Sequence, residues 1–363
     1  MKVFIATYNQ YDNYGSRLQN FALCQVLNAL GTQPMTLEIC SSKDRIIRYV
    51  KDIFALLPVI CDKQRLWIND KKKRIIFSDF NKRLNLQTMN YDDLYNLDFA
   101  NAIAIAGSDQ IWSPIHIAKK RREAELYFLR FAPQEKRFAY APSFGMKVIP
   151  DTLMEMYRKY ITEFQTLSVR ENIGQKIIKD MTDLEVPVLP DPTFLLSKNE
   201  WMLAIYASQM NISASQYILT YFLSEQNKCL WNCIKRYAER KKLKIICVSG
   251  NKYHKEDIRP APDQFINLIN NAEAVFTDSF HGAVFSTIMQ TPFVVFRRSD
   301  VDQISRIDTL LKKYKLTVAF LEAQEPNCDF DMIFEKENFV QVEKIVAEER
   351  QKGTAYLKKI IQS

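Results

Sequence analysis

Glycine is scarce in this chain, with eight in 363 residues, where an average sequence carries ~7%. Each glycine therefore marks a place where the backbone must turn or pack closely. Histidine is rarer still, at three residues, so an acid or base of near-neutral pKa has few sources. Seven cysteines show no recurring pair spacing, which argues against a disulfide framework and leaves reduced thiols as the expectation. Cys229 and Cys233 are one helical turn apart, but no histidine or second pair accompanies them, which fits packing and not metal. No apolar run is long: Ile53 to Cys61 reaches about half of the ~20 residues a membrane-spanning helix needs, and Pro58 interrupts it. Met1 and Lys2 lead straight into Val3–Ala6 and then polar residues, so a cytoplasmic chain is expected. Charge of neither sign dominates. Fifty Lys+Arg against 42 Asp+Glu give +8, a bias that favours anionic substrates or lipid surfaces and is too small to imply nucleic acid.

What is present is 47% hydrophobic and 25% charged, enough to fill the two cores that a chain of this length calls for. Residues 3–7 read as a buried strand, followed by a polar loop to Gly15 and by Leu18, Phe21, Ala22, Gln25, Val26 and Ala29 at helical spacing. Further strand patterns lie at 36–39, 102–106, 138–141 and 166–169. Between them, 41–87 is amphipathic and basic, peaks at Lys71–Arg74, and reads as an inserted helical pair. Pro187, Pro190 and Pro192 place a boundary near Ser197, giving domains 1–197 and 198–363. The second half alternates strands at 218–223, 245–248, 274–277 and 293–296 with helices at 228–242, 262–270 and 283–289, and ends in a helix. The alternation predicts an α/β fold of two Rossmann-like domains with mostly parallel sheets, facing a cleft at the carboxyl ends of the strands.

Four corners carry residues suited to chemistry. Gly107, Gly250 and Gly282 fall at or just after strand ends, and Gly15 closes the first loop. In Asn13-Tyr14-Gly15-Ser16-Arg17, free N–H groups at a helix start and the Arg17 charge suit an anion; a plain helix cap by Asn13 or Ser16 is the alternative. In Gly107-Ser108-Asp109-Gln110-Ile111-Trp112, Asp109 can take a proton from a sugar hydroxyl that Gln110 orients, or Ser108 or Asp109 can simply cap a helix. In Ser168-Val169-Arg170-Glu171, Arg170 offers a fork for carboxylate or phosphate, or forms a salt bridge with Glu171 or Asp191. In Thr277-Asp278-Ser279-Phe280-His281-Gly282, His281 sits in a polar turn beside Ser279 and can donate a proton, whereas a lone histidine is commonly structural. His116 and His254 have no comparable setting.

Together and in this order these corners resemble the polysaccharide pyruvyl transferase family. The resemblance extends from Asn13–Leu30 through Gly107–Trp112, Tyr127-Phe128-Leu129, Tyr140–Gly145, Ser168–Glu171, Asp191-Pro192-Thr193 and Thr277–Gly282 to Ser305-Arg306-Ile307. Thr7-Tyr8-Asn9-Gln10 departs from it by lacking a glycine that many members place after the first strand. It implies a GT-B-like arrangement and transfer of the pyruvyl group of phosphoenolpyruvate to two hydroxyls of one sugar, making a cyclic ketal with release of phosphate. No metal or other cofactor is implied; phosphoenolpyruvate is a co-substrate. On this resemblance His281 would be the general acid, Asp109 would activate the acceptor hydroxyl and Arg170 would bind the donor's anionic groups. Asn13, Gly15, Arg17, Ser108, Gln110, Ser279, Gly282 and Arg306 are the expected binding residues. The acceptor would be a sugar of a capsular or exopolysaccharide repeat unit, with galactose one candidate, carried on a lipid pyrophosphate at the inner face of the cell membrane. The basic stretch Lys63–Arg83 would then lie against anionic lipid or the pyrophosphate, against the alternative of a solvated helix face. The competing function is a nucleotide-sugar glycosyltransferase of the GT-B type, for which Asp300-Val301-Asp302 and Asp329-Phe330-Asp331 are the metal-binding patterns. A non-catalytic sugar-binding protein is the third class.

Overall fold

A computed structural model describes residues 1–9, 13–40, 42–54, 62–205, 216–248, 257–298, 304–316, 319–321 and 329–363. The chain divides into two compact units, Met1–Pro192 with Gly353–Ser363, and Thr193–Lys352. The division falls five residues before the expected 197/198 boundary, and the last residues return to the first unit. Tyr356 is the reason: its hydroxyl donates to Ala139 O at 3.0 Å and its ring packs on Tyr140.

The first unit contains β1 (Lys2–Ala6), α1 (Tyr14–Ala29), β2 (Gln33–Ile39), α2 (Ser42–Phe54), α3 (Asp62–Asn81), β3 (Leu86–Met89), β4 (Ala102–Ala106), α4 (Pro114–Lys119), α5 (Arg121–Tyr127), β5 (Arg137–Ala139), α6 (Asp151–Ile161) and α7 (Asn172–Thr182). The second contains α8 (Lys198–Ile205), β6 (Tyr217–Tyr221), α9 (Lys228–Lys241), β7 (Lys244–Val248), α10 (Pro262–Asn270), β8 (Ala274–Thr277), α11 (Phe280–Met289), β9 (Phe293–Phe296), α12 (Ile304–Lys313), β10 (Phe320–Leu321) and α13 (Phe330–Glu335). The last helix, α14 (Phe339–Gln362), begins in the second unit and ends in the first.

Each unit has one five-stranded sheet, in orders β3-β2-β1-β4-β5 and β10-β9-β8-β6-β7. Every strand pair is parallel. The central strand β4, Ala-Ile-Ala-Ile-Ala, is buried throughout, as a strand covered on both faces must be. The chain thus forms two Rossmann-like α/β units, each with a parallel sheet. The two sheets are wound differently. The first reverses direction between β1 and β4, the second between β6 and β8, and ligands of open α/β sheets bind outside the carboxyl ends of the strands at that reversal.

Three expectations are corrected. Residues 41–87 are not an insertion: α2 and α3 form the crossover from β2 to β3, which pair in parallel from Thr36↔Leu86 to Ile39↔Met89. Residues 166–169 make only isolated bridges, Phe138↔Thr166 and Val169↔Val188, because polar Ser168 and Arg170 there are committed to side-chain bonds. Cys233 is disulfide-bonded, contrary to the expectation of reduced thiols, whereas Cys24, Cys40, Cys229 and Cys247 are free.

Candidate active site

At the reversal in the first sheet, the ends of β1 and β4 are stitched together. Thr7 Oγ1 donates to Ser108 O at 2.7 Å and accepts from Gln19 Nε2 at 2.9 Å. Gly107 makes this approach feasible, since a Cβ there would lie 2.9 Å from Thr7 Cβ. The next residue but one, Asp109, takes a left-handed conformation with φ 77°, a conformation that costs an L-residue about 1–3 kcal/mol and persists where the surroundings impose it. Those surroundings are explicit. Ser16 Oγ donates to Asp109 Oδ2 at 2.6 Å, Gln110 N donates to its Oδ1 at 2.9 Å, and Ser143 N donates to its carbonyl at 2.8 Å. The strand turns abruptly because Trp112, fully buried, stacks on Phe128 at 5.5 Å and donates through its indole N–H to Tyr127 O.

Arg170 does not present an open fork. Its Nη1 donates to Asp191 Oδ2 at 2.6 Å, Nη2 lies 3.8 Å from Asp109 Oδ1, and Nε lies 3.9 Å from Glu171 Oε2. Burial opposes its charge, but the carboxylates of Asp191, Asp109 and Glu171 outweigh burial and raise its pKa above the ordinary guanidinium value. The salt bridge that the sequence left as the alternative is therefore present. Ser108 is fully buried and donates to Ala141 O and Asp191, so it shapes the turn from below. Asn13 caps α1, accepting from Ser16 N at 3.2 Å, which is the plain-cap alternative. Gly15 and Arg17 lie buried in the first turns of α1, Arg17 fully. Gln110 lies over Gly145, where φ is 64° and a Cβ would collide with the Gln110 amide.

Two residues here were not legible from spacing. Ser16 bonds the proposed base directly. His116, which the sequence leaves without a setting, pairs through Nδ1 with the Tyr8 hydroxyl at 2.6 Å. Burial, followed by the Glu123 and Asp109 carboxylates, raises the Tyr8 pKa, so this pair lies within the electrostatic reach of Asp109. A tyrosine directly after a first strand was the available signal.

The second sheet repeats the device at the end of β8. Thr277 Oγ1 donates to Tyr221 O at 2.6 Å and accepts from Ser279 N at 3.0 Å. A Cβ on Gly282 would overlap Thr277 Oγ1, so only glycine lets α11 approach the strand. Ser279 caps α11, its side chain accepting from Gly282 N at 3.3 Å. His281 is 8% exposed in the first turn. Phe280 packs 5.1 Å from the His281 ring and 5.6 Å from the Arg306 guanidinium, which gathers the imidazole, the arginine and the amino end of a helix.

Asp278 was overlooked in the sequence. It is wholly buried and accepts from Leu223 N at 2.6 Å, Ser224 N at 2.9 Å, Ser224 Oγ and Gln226 Nε2. Burial raises its pKa, opposed by these bonds and by Arg298. The loop it fixes walls a pocket of ≈ 140 Å³ lined by Phe222, Ser224, Glu225, Gln226, Trp231 and Asp257, among others.

Gly250, His254 and Asp300–Asp302 lie outside the described residues. The other acidic pattern is spent structurally: Asp329 caps α13, and Asp331 pairs with Arg240 and Lys241. Among the described residues no group of three His, Cys, Asp or Glu side chains could hold a metal ion, and no helix is long and apolar enough to cross a membrane.

Two α/β units with a carboxylate corner in one and a histidine-helix corner in the other define an enzyme-like Rossmann chain. A family model described as polysaccharide pyruvyl transferase matches residues 13–300. The match takes in all four corners and ends before Arg306, and the chain belongs to the polysaccharide pyruvyl transferase family. No curated protein matches it. Among solved structures, UDP-N-acetylglucosamine 2-epimerase from Rickettsia bellii is 11% identical over 99% of this chain and 97% of its own, with a TM-score of 0.51. The UDP-GlcNAc 2-epimerase from Neisseria meningitidis (10% identity, 97% and 94% covered, TM-score 0.48) and the E. coli ADP-heptose heptosyltransferase II (10%, 96% and 99%, 0.39) are also similar. The first of these supports the fold alone.

Proposed function

We propose that this family member transfers the pyruvyl group of phosphoenolpyruvate to two hydroxyls of one sugar, forming a cyclic ketal and releasing phosphate. The observation that carries the division of labour is electrostatic. Three carboxylates surround the single guanidinium of Arg170, a setting that repels a donor bearing both carboxylate and phosphate. Arg170 is accordingly reassigned from donor binding to positioning, since its guanidinium lies 3.8 Å from the Asp109 carboxylate and is anchored on Asp191. The donor belongs to the second unit, where Arg306, the Ser279 cap and the amino end of α11 supply positive potential and N–H groups. Glu225 and Asp257 line the neighbouring pocket, which makes it unsuited to phosphate.

In this reading His281 protonates the methylene carbon of phosphoenolpyruvate, leaving the adjacent carbon electrophilic. Asp109, held by Ser16, takes the proton of the first acceptor hydroxyl as its oxygen bonds to that carbon. Phosphate departs with the C–O bond electrons, the second hydroxyl adds, and its proton is released as the ring closes. The acceptor is a sugar of a capsular or exopolysaccharide repeat unit, carried on a lipid pyrophosphate. Incubation with phosphoenolpyruvate and candidate lipid-linked sugars should release phosphate only when an acceptor with a suitable hydroxyl pair is present. Release from a nucleotide sugar instead would replace this reading with glycosyl transfer.

A further inference from the structure

Among the described residues, the outer face of α2 carries a run of exposed large apolar side chains. Ile46, Ile47, Tyr49, Val50, Ile53 and Phe54 are all exposed, Ile46 by 63% and Tyr49 by 68%. At 100° per residue these six positions fall within an arc of roughly 160°. By sequence position Asp44, Arg45, Arg48, Lys51 and Asp52 occupy the opposite arc. A soluble helix buries such a stripe and exposes its charges, but here it is Asp52, on the opposite arc, that is tied to the neighbouring helix. Asp52 is bonded by Arg74 of α3, and Lys71 donates to the Asp52 carbonyl at 3.2 Å. The apolar side is turned outward, and on α3 Ile75 is itself 60% exposed. Contiguous apolar surface of this kind marks an interaction site.

The charge around it selects the occupant. Residues 42–83 hold twelve Lys and Arg against five Asp, which accounts for seven of the chain's net eight positive charges. A second copy of the chain docking face to face would set this excess against itself. An anionic bilayer meets both properties at once: apolar side chains enter the headgroup boundary while lysines and arginines face acidic lipid. We propose that α2 is a membrane-surface helix, its Ile46–Phe54 stripe the inserting face and the basic residues of the α2–α3 crossover its electrostatic partner. This moves the expected membrane contact from the Lys63–Arg83 run, part of which is engaged in holding α2, to the stripe beside it. The proposal extends the reading that the acceptor is lipid-borne, and it is measured without any substrate, so pyruvyl transfer can fail while it stands, or the reverse.

The test is sedimentation of the full chain with vesicles of phosphatidylcholine alone or mixed with phosphatidylglycerol. The variants are Ile46→Ser/Tyr49→Ser/Ile53→Ser and Lys51→Glu/Lys72→Glu, with circular dichroism as the check of folding. Wild type should bind the phosphatidylglycerol vesicles and lose binding as salt approaches about 1 M, where charges beyond ~3 Å are screened. The triple serine variant should lose about tenfold or more, and the charge variant should lose affinity for the anionic vesicles as well. Absence of binding, equal binding to both vesicles, or a triple variant that binds like wild type would overturn the proposal. So would a wild type that self-associates through this face without binding vesicles.

Discussion

The two sheet-reversal corners use one backbone device under opposite electrostatics. In each, a threonine at a strand end packs against a glycine, Thr7 on Gly107 and Thr277 on Gly282. In each, a polar residue caps a helix buried nearly all round, Asn13 for α1 and Ser279 for α11. The first corner then concentrates Asp109, Glu171 and Asp191 on Arg170, while the second brings His281 and Arg306 to Phe280 and consumes its one buried carboxylate, Asp278, in holding a loop. On the proposed function, similar geometry with opposite charge would separate the tasks, with hydroxyl activation at the first corner and recognition and protonation of an anion at the second.

The comparison breaks most completely at the two proposed proton carriers. Asp109→Asn and His281→Gln should each lower kcat by about 10²–10⁴-fold, measured by phosphate release, with Asp109→Asn keeping donor affinity. Next is Arg170→Met, which leaves three buried carboxylates without their cation. It should cost about 3–5 kcal/mol in urea unfolding. A stable variant that had lost only donor affinity would restore Arg170 to the donor site. A smaller effect is expected from Asp278→Ala, which strands the Leu223 and Ser224 amides. About 1–3 kcal/mol should be lost, with a change in tryptophan emission from Trp231 on the loop's pocket. Of comparable size are the single substitutions Gly107→Ala and Gly282→Ala, each costing about 1–3 kcal/mol through overpacking. Gly282→Ala should be the worse of the two, because its Cβ would overlap a hydroxyl held between two bonds.

The alternation of apolar runs and turn residues made both parallel sheets legible, because strands such as Ala102–Ala106 are buried on both faces and carry an unbroken apolar signal. Strand order was not legible, since the two different windings depend on which edge each crossover chooses. Three of the four corners could be read because glycine is so rare that its placement at strand ends and before a helix stands out. What Arg170 does was open in the sequence: a guanidinium beside Glu171 and 21 residues before Asp191 reads equally as a fork for ligand or as a salt bridge. The bonds that Ser16 and Asp278 make were not legible because each acts on residues far away in sequence, Ser16 across 93 positions and Asp278 across 52 to 55. The outward stripe of α2 was hidden for a different reason. Its helical periodicity is that of an ordinary core-facing helix, and only the exposure of Ile46 and Tyr49 reveals that the face is uncovered.

Calorimetric titration of phosphoenolpyruvate into wild type, Asp109→Asn and Arg306→Gln tests the division of labour most directly. The account predicts saturable binding that Asp109→Asn preserves and that Arg306→Gln, folded by circular dichroism, weakens about tenfold or more. Loss of binding in Asp109→Asn together with full binding in Arg306→Gln would contradict it.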